Sequence, residues 1–599
     1  MKYFKTLIIH TLFICNAYSQ VTSNIDEFTS NLDYYNSFGS GTGTVNTSIN
    51  QTEFSSGNSS LNINYSFNAG TNSFFTLLRN YGTTQQDYSY LVTGFSIDHK
   101  GGNVNDQISI RVWEDINGNG TFDGEDEVYQ STNTAIGTTD WTTSTFDLNS
   151  FTKVVGAGNE QIDLNRIRAW DIKISNTTSY AHSENVLVDN FSLESSYTPP
   201  TSGSAKLNGA FIQLWNTSGC KCGEWTQAQW DSEFQEMKDA QIDYLVVQYS
   251  IYHDLSWYSP SNIPTVVYKM NTLNYIVAAA EKVNMQVHFG LYFDETWNSS
   301  DKASANTYSN ILSKHKLVID ELWDLFGTSS AFGGWYIPQE LNDLEWQDDP
   351  EKSLLFQWVK DVTDYIETKS TTKPVMIAPF FNLWQPADKL EAWYNELLQT
   401  APNLDRVYPQ DGVGITLKNP EYHIPLYYSA IKRACDNNGR TFGATIETFH
   451  QTSGWPVNNE SFAASSTDIE TLKKQLWNAG EQQPYEMIQF AWSYMQPNLN
   501  GASTQLYNDY SNYIEVITSF KNVDLVGSNS ISVYPNPTTG KLLINSKYTF
   551  RQIRIYNING LLLLSSELKQ VDLNSLKSGI YLLEIELDDI VINKRIVKK

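Results

Sequence analysis

Eight short apolar stretches alternate with amphipathic ones between residues 207 and about 520, and few folds accept that pattern. The stretches are LNGAFIQLW, DYLVVQY, QVHFGLYF, FGGWYIPQE, PVMIAPF, DRVYPQDGVG, TFGATIETF and YEMIQFAWSYM. Segments between them read as helices. TQAQWDSEFQEMKDA, for one, spaces Trp230, Phe234 and Met237 along a stripe with acidic and polar residues opposite. Strands separated by helices must run parallel, because the crossover returns the chain to the same edge. Eight rounds over roughly 310 residues predict a (β/α)8 barrel spanning 207–525.

In such a barrel the chemistry sits at the carboxyl ends of the strands, above a packed interior. GGWYIPQEL, an apolar strand, ends in Gln339 and Glu340, and a carboxylate is costly to desolvate there without a task. The seventh strand ends in Glu447, the third in Asp294 and Glu295, and the sixth in Asp411. Aromatic residues share the same ends: Trp215, Tyr249, Trp384, Trp455 and, on the eighth strand, Trp492 and Tyr494. Paired carboxylates walled by aromatic faces suit glycosidic bond cleavage, in which one acid protonates the leaving oxygen and another supports the charge at the sugar carbon. The expectation is that Glu340 is acid/base and Glu447 nucleophile, with Asp411 a sugar-hydroxyl partner or second catalytic acid. Trp215, Tyr249, Asp294, Glu295, Gln339, Trp384, Trp455 and Trp492 are expected to contact substrate. Asp294 could equally cap a helix, and Trp492 could equally be core. No cofactor is needed for this chemistry.

Two other functions fit the same pattern. A catalytically silent glycan-binding protein would use the acids to bind hydroxyls. A lyase acting on a uronic acid polymer would need cations against the substrate carboxylate, and the rim offers mostly acids. Within hydrolysis, an inverting enzyme would pair Glu340 with Asp411.

The flanks differ in texture. Lys2 and Lys5 precede LIIHTLFIC, and Ala17-Tyr18-Ser19 supplies a cleavage pattern, so residues 1–19 read as a signal peptide. Residues 20–198 are rich in Ser, Thr, Asn and Gly and carry alternating runs such as QISIRVW and NVLVDNFSL, which predict an antiparallel sandwich. Within it DINGNGTFDGED places Asp115, Asn117, Asn119, Thr121 and Asp126 at alternating oxygen-ligand positions around Gly120, a pattern for a structural calcium ion. The competing reading is an Asn-Gly hairpin. A Pro-Pro-Thr-Ser-Gly-Ser linker leads from the sandwich to the barrel, within 199–206. Residues 530–599 read as a small C-terminal sandwich with turns at Gly540, Gly560 and Gly579. Removal of the signal leaves Cys220, Cys222 and Cys435, which fit a loop disulfide or free thiols and not a zinc site.

Charge narrows the partners. Acidic residues number 66 against 40 basic, a net charge of −26, which repels nucleic acid and anionic membranes. Abundant aromatic rings with few cations favour a neutral, ring-shaped ligand.

Four resemblances follow from these residues. Glutamates after strands four and seven resemble clan A of the retaining glycoside hydrolases, although Gln339 stands where that clan has Asn. The segments NGAFIQLW, WxxEFQEMKDAQIDYLVVQY, GGWYIPQEL and YPQDGVG resemble the family called domain of unknown function 4434, which implies a barrel hydrolase of exporting bacteria without naming a substrate. ISVYPNPTTGKLLIN, IRIYNINGLLL, VDLNSLKSGIYLLEI and the end KRIVKK resemble the C-terminal sorting domain of the type IX secretion system. That likeness implies contact with the secretion machinery, outer-membrane passage from the periplasm of a Gram-negative bacterium, and a secreted or cell-surface product. The first sandwich resembles jelly-roll carbohydrate-binding modules in pattern, with no binding residue carried over.

Overall fold

The computed structural model describes residues 21–599 apart from 27, 29–34, 71, 83, 198, 201–202, 216–221, 260, 265, 382, 416–420, 455–456, 459, 520–530, 547–549, 558–561, 567 and 588–590. The signal segment lies outside the described residues. Two compact units are present. The first comprises residues up to Pro199 together with Leu383–Lys389, and the second holds Pro200–Asn382 and Leu390–Lys599.

The first unit is a sandwich of two antiparallel sheets. One is ordered Thr138–Asp147, Val92–Gly101, His182–Ser195, Ser60–Phe67, Thr42–Asn50, with Val21–Asp26 also on His182–Ser195. The other runs Thr152–Gly156, Glu127–Gln130, Asp106–Glu114, Ile167–Asn176, Phe74–Asn80, Tyr35–Ser40, with Thr134–Ala135 on Asp106–Glu114. Alternation directs Leu61, Ile63, Phe95, Ile97, Ile108, Ile110, Ile172 and Ile174 into the core. Arg111 and Asp171 are register partners, and their 2.7 Å ion pair is buried.

In the second unit the eight expected strands all form: β1 Gly209–Ile212, β2 Tyr244–Val247, β3 Gln286–Gly290, β4 Phe332–Tyr336, β5 Val375–Ile377, β6 Arg406–Val407, β7 in two pieces, Thr441–Phe442 and Ala444–Glu447, and β8 Met487–Phe490. Every pairing among them is parallel. The first piece of β7 pairs with β6 and the second with β8, so the break at Gly443 is where the ring of strands closes. A Cβ at Gly443 would lie 2.3 Å from the Tyr408 ring, which explains a glycine there. A helix follows each strand: α1 Gln227–Asp239, α2 Thr272–Val283, α3 Ala305–Phe326, α4 Glu351–Glu367, α5 Ala387–Thr400, α6 His423–Asn437, α7 Ile469–Glu481 and α8 Gly501–Ser519. Helix α1 begins with a capping box between Thr226 and Gln229, and it buries Trp230, Phe234 and Met237 as its spacing predicts. Phe211, Tyr244, Val246, Tyr336, Met376, Tyr408 and Ile488 fill the barrel, leaving its carboxyl end as the place for chemistry.

Residues 531–598 form two small sheets, one of Ile531–Tyr534, Lys541–Ser546 and Gln570–Asp572, the other of Leu562–Ser566, Phe550–Asn557, Gly579–Leu587 and Val591–Lys598. Their core is Leu542, Ile544, Ile553, Ile555, Leu583, Ile585 and Ile596. Among the described residues, no helix is long and apolar enough to cross a membrane. Cys222 is disulfide-bonded, Cys435 is a buried free thiol, and Cys220 lies outside the described residues.

Candidate active site

Glu340 stands four residues beyond the last residue of β4, and Glu447 is the last residue of β7, so both sit at the same end of the parallel barrel. The end of β6 reaches both. Gln410 forms a bridge with Thr445 of β7, and its Nε2 donates to Ala378 O at 2.9 Å and to Glu340 Oε1 at 3.3 Å. The next residue, Asp411, accepts from the Glu447 backbone N–H at 3.2 Å. Consecutive residues of one strand end thus hold the two glutamates.

Their settings differ. Glu340 keeps some solvent contact, yet burial pushes its carboxyl above the ordinary glutamate range, and the hydrogen bond from Gln410 only partly offsets this. Its charge is felt by the hydroxyls of Tyr249 and Tyr336. Glu447 is only 4% exposed, and its Oε2 accepts the Gly414 N–H at 2.7 Å. A Cβ on Gly414 would stand 2.8 Å from that oxygen, so glycine is what lets the backbone donor come so close.

Asp411, expected on the rim, is instead 0% exposed. Its Oδ1 accepts from Val413 N at 3.2 Å as well as from Glu447, and its Oδ2 from Gln475 Nε2 of α7 at 2.8 Å. Gln475 also donates to Glu447 O at 2.9 Å. Asp411 is therefore a strut in the barrel wall, with no open face on which to activate a water.

The aromatic residues divide in the same way. Trp215 is half-buried and stacks on Tyr252 (4.3 Å, 24°); Tyr252 stacks on Tyr249 (5.4 Å, 21°), and Tyr249 on Phe293 (4.8 Å, 14°). Glu295 is exposed and accepts from the Tyr252 hydroxyl. Asp294 is buried and ties down its own loop, accepting from Tyr292 Oη at 2.7 Å and Thr296 N at 2.8 Å, with Lys314 at 3.3 Å. Burial alone would raise its carboxyl, but the bonds from Thr296 and Tyr292 and the Lys314 charge hold it below the ordinary range. Gln339 is buried, with Nε2 donating to Tyr292 O at 3.0 Å and Oε1 lacking a donor. Trp384 is half-buried in Leu383–Lys389, which belongs to the first unit. Trp455 lies outside the described residues. Trp492 is fully buried and donates to Glu233 of α1, so it is core and offers no sugar platform.

The sequence reading left Gln410, Gly414, Tyr252 and Gln475 unremarked and gave Tyr494 no role. Tyr494 packs on Phe449 (5.0 Å), and its hydroxyl is pushed up to about 12 by burial and by the Glu447 charge. Its position two residues beyond Trp492 in an apolar eighth strand was the available signal.

In the first unit, Asp115 and Asp126 are buried. Asp115 accepts from Asn119 N at 3.1 Å and Gly120 N at 2.8 Å, and Asp126 accepts from Ile116 N and Asp123 N, each at 2.8 Å. Asn119 Oδ1 takes the Thr121 N–H at 2.7 Å, while the amide groups of Asn117 and Asn119 donate to Asp123 at 3.1 and 2.7 Å. Among the described residues no cluster of three or more His, Cys, Asp or Glu is placed to hold a metal ion. The loop's carboxylate and amide oxygens already accept from its own N–H groups.

These features define a (β/α)8-barrel protein with two glutamates at the barrel mouth and a sandwich on either side in sequence. Residues 207–501 match the family described as "Domain of unknown function (DUF4434)". Residues 532–599 are a "Secretion system C-terminal sorting domain", so the chain is sent by type IX secretion to the cell surface or beyond. The barrel-family match agrees with the resemblance drawn from NGAFIQLW and YPQDGVG. Among curated proteins, "Uncharacterized protein YbcH" of Escherichia coli (strain K12) is 27% identical over 231 residues, 37% of this chain and 72% of that protein. Among solved structures, a Bacteroides thetaiotaomicron protein provisionally described as an alpha-L-fucosidase is 22% identical, with a TM-score of 0.45, covering 54% of this chain and 97% of its own. The family 11 carbohydrate-binding module of a Clostridium thermocellum cellulase is 20% identical, with a TM-score of 0.23, covering 29% of this chain and 95% of its own.

Proposed function

We propose that the barrel is a glycoside hydrolase acting on a polysaccharide outside the cell by double displacement. The observation that carries the reading is the shared support of Glu340 and Glu447 by Gln410 and Asp411, which holds two carboxyl-bearing residues at one barrel mouth. Burial favours the protonated form of Glu340, which suits it to protonate the leaving glycosidic oxygen. The Gly414 N–H hydrogen-bonds to Glu447 Oε2 and fixes the place of that carboxyl, which suits it to attack the anomeric carbon. Glu340, once deprotonated, then takes the proton of the water that releases the sugar. Half-buried Trp215, backed by Tyr252, Tyr249 and Phe293, would serve as a platform, with Glu295 at its edge taking sugar hydroxyls. The inverting alternative through Asp411 is disfavoured by that residue's complete burial.

The test is a panel of soluble polysaccharides assayed for new reducing ends, with wild type beside Glu340→Gln and Glu447→Gln. Release by wild type with loss in both variants supports the reading, and proton NMR of the first-formed anomer distinguishes retention from inversion. A wild type that binds a glycan but releases no ends from it would make the barrel a glycan-binding protein.

A further inference from the structure

One buried carboxyl lies outside the machinery described so far. Glu233 stands on α1 between Trp230 and Met237, within the buried stripe. One oxygen accepts from Trp492 Nε1 and the other from Gln496 Nε2 at 3.3 Å. Both donors belong to the segment that follows β8, and between them lies Tyr494, packed on Phe449 with its hydroxyl in the field of Glu447. A single carboxyl on an outer helix thus pins, on both sides, the turn that presents a phenol to the proposed nucleophile.

We propose that Glu233 is a positioning residue for this turn, seating Trp492 and Gln496 and thereby holding Tyr494 against Phe449 and beside Glu447. The seating stands on its own; its consequence for catalysis rests on the glycosidase reading above.

Both oxygens of Glu233 accept, one from each donor, and ionisation strengthens these bonds while leaving a charge buried among Trp230, Phe234 and Met237. Burial, with Glu236 adding to it, raises Glu233 to about 7 against the bonds from Trp492 and Gln496. The other groups around the seat are few. Glu236 accepts from Tyr507 Oη of α8 at 2.9 Å, Tyr507 meets Trp492 edge-on at 6.2 Å, and the turn itself contributes only neutral side chains. The seat therefore keeps both contacts at either pH, but above about pH 7 it must hold a buried charge and is weaker by that cost.

Hydrogen exchange of the full chain, followed in a peptide spanning 490–498 at pH 6 and pH 8 and corrected for intrinsic rates, tests this. Wild-type protection should fall on the order of tenfold between the two pH values. Glu233→Gln keeps an acceptor for Trp492 and does not titrate, so it should be equally protected at both. Glu233→Leu should lose protection at both. Equal wild-type exchange at the two pH values, unchanged in Glu233→Gln, would overturn the proposal, and this arm decides even if the leucine variant does not fold. On a glycan that the wild type cleaves, Glu233→Gln should raise kcat at pH 8 relative to wild type with KM unaltered. A barrel inert on every glycan leaves the exchange result standing and removes only the catalytic consequence.

Discussion

The ends of β4 and β6 carry nearly the same word, Tyr-Ile-Pro-Gln-Glu at 336–340 and Tyr-Pro-Gln-Asp at 408–411, yet their acids meet opposite fates. Glu340 opens toward the mouth, while Asp411 is sealed in the wall and Gln410 takes the inward place. Parity explains the difference. Tyr336 and Tyr408 both point into the barrel core, and in extended chain every second residue shares a face. Counting by twos from Tyr336 reaches Glu340; counting by twos from Tyr408 reaches Gln410 and leaves Asp411 on the other side. One residue inserted between tyrosine and proline decides whether a strand-end acid is available for chemistry or bound up in support.

The strongest way to break this comparison is the isosteric pair Glu340→Gln and Asp411→Asn. Glu340→Gln should lower kcat by about 10²–10⁴, the usual loss of a general acid. It should not lower stability at neutral pH. The folded carboxyl has a raised pKa, so the folded state holds its proton more tightly than the unfolded chain, and stability declines as pH rises from the ordinary glutamate value through the raised one. Removing the titration removes that decline. Asp411→Asn should do the reverse, costing about 1–3 kcal/mol of stability because an amide cannot accept all three bonds that the carboxylate takes. Thermal melts and kcat for both variants across pH 4–9 check this, and an Asp411→Asn that melts like wild type but is dead would restore the inverting mechanism.

Tryptophans sharpen the same contrast between mouth and wall. Trp492→Ala should cost about 3–5 kcal/mol of stability, since it empties a fully buried site and strips Glu233 of a donor. Trp215→Ala, removing a half-buried ring, should cost less stability and act mainly on KM. Equal melting losses from the two would show that both are core.

A smaller effect is expected at Gly414. The alanine Cβ would fall 2.8 Å from Glu447 Oε2 and 2.8 Å from Phe449 O. One contact is a movable side chain and the other is backbone, so the variant should fold while displacing the carboxylate, lowering kcat on the order of 10–100-fold. An unchanged kcat would mean that the Gly414 N–H contact does not set the nucleophile's place.

How far the sequence could be read follows the same physics. Strand and helix periodicity is local, so eight rounds, their order and the strand-end glutamates were legible. The barrel's inside and outside were legible only by counting residues from a core tyrosine, and taking every strand-end acid as a rim acid misplaced Asp411. Trp492 stayed open between sugar platform and core because its partner, Glu233, is distant in sequence. Yet Glu233 sits three residues after Trp230 and four before Met237, on the stripe that Trp230, Phe234 and Met237 define. An acid on an apolar stripe announces a buried polar partner, and the simple division of α1 into apolar and polar faces passed over it. Gln410 and Gly414 act through a side-chain amide and a backbone N–H, which composition does not advertise.

Calcium gives the smallest expected effect, and the first unit supplies the reason. Asp115 and Asp126 already accept two backbone N–H bonds each, so the loop holds its shape through its own hydrogen bonds. A cation would use the remaining lone pairs together with Asn117, Asn119 and Thr121 oxygens, and the amides of Asn117 and Asn119 would have to turn away from Asp123. Part of the binding energy goes into that rearrangement, and Asp126 is shorter than the bidentate glutamate usual at this position. With Kd on the order of 10⁻⁴–10⁻³ M, 1 mM calcium stabilises the folded sandwich by about 0.4–1.4 kcal/mol, a rise of roughly 1–5 °C in its transition. Calorimetry of the full chain in calcium and in chelator, with Asp115→Asn as control, measures it. A rise that persists in Asp115→Asn would place the ion elsewhere, and no rise at all would leave the loop as a turn held by its own hydrogen bonds.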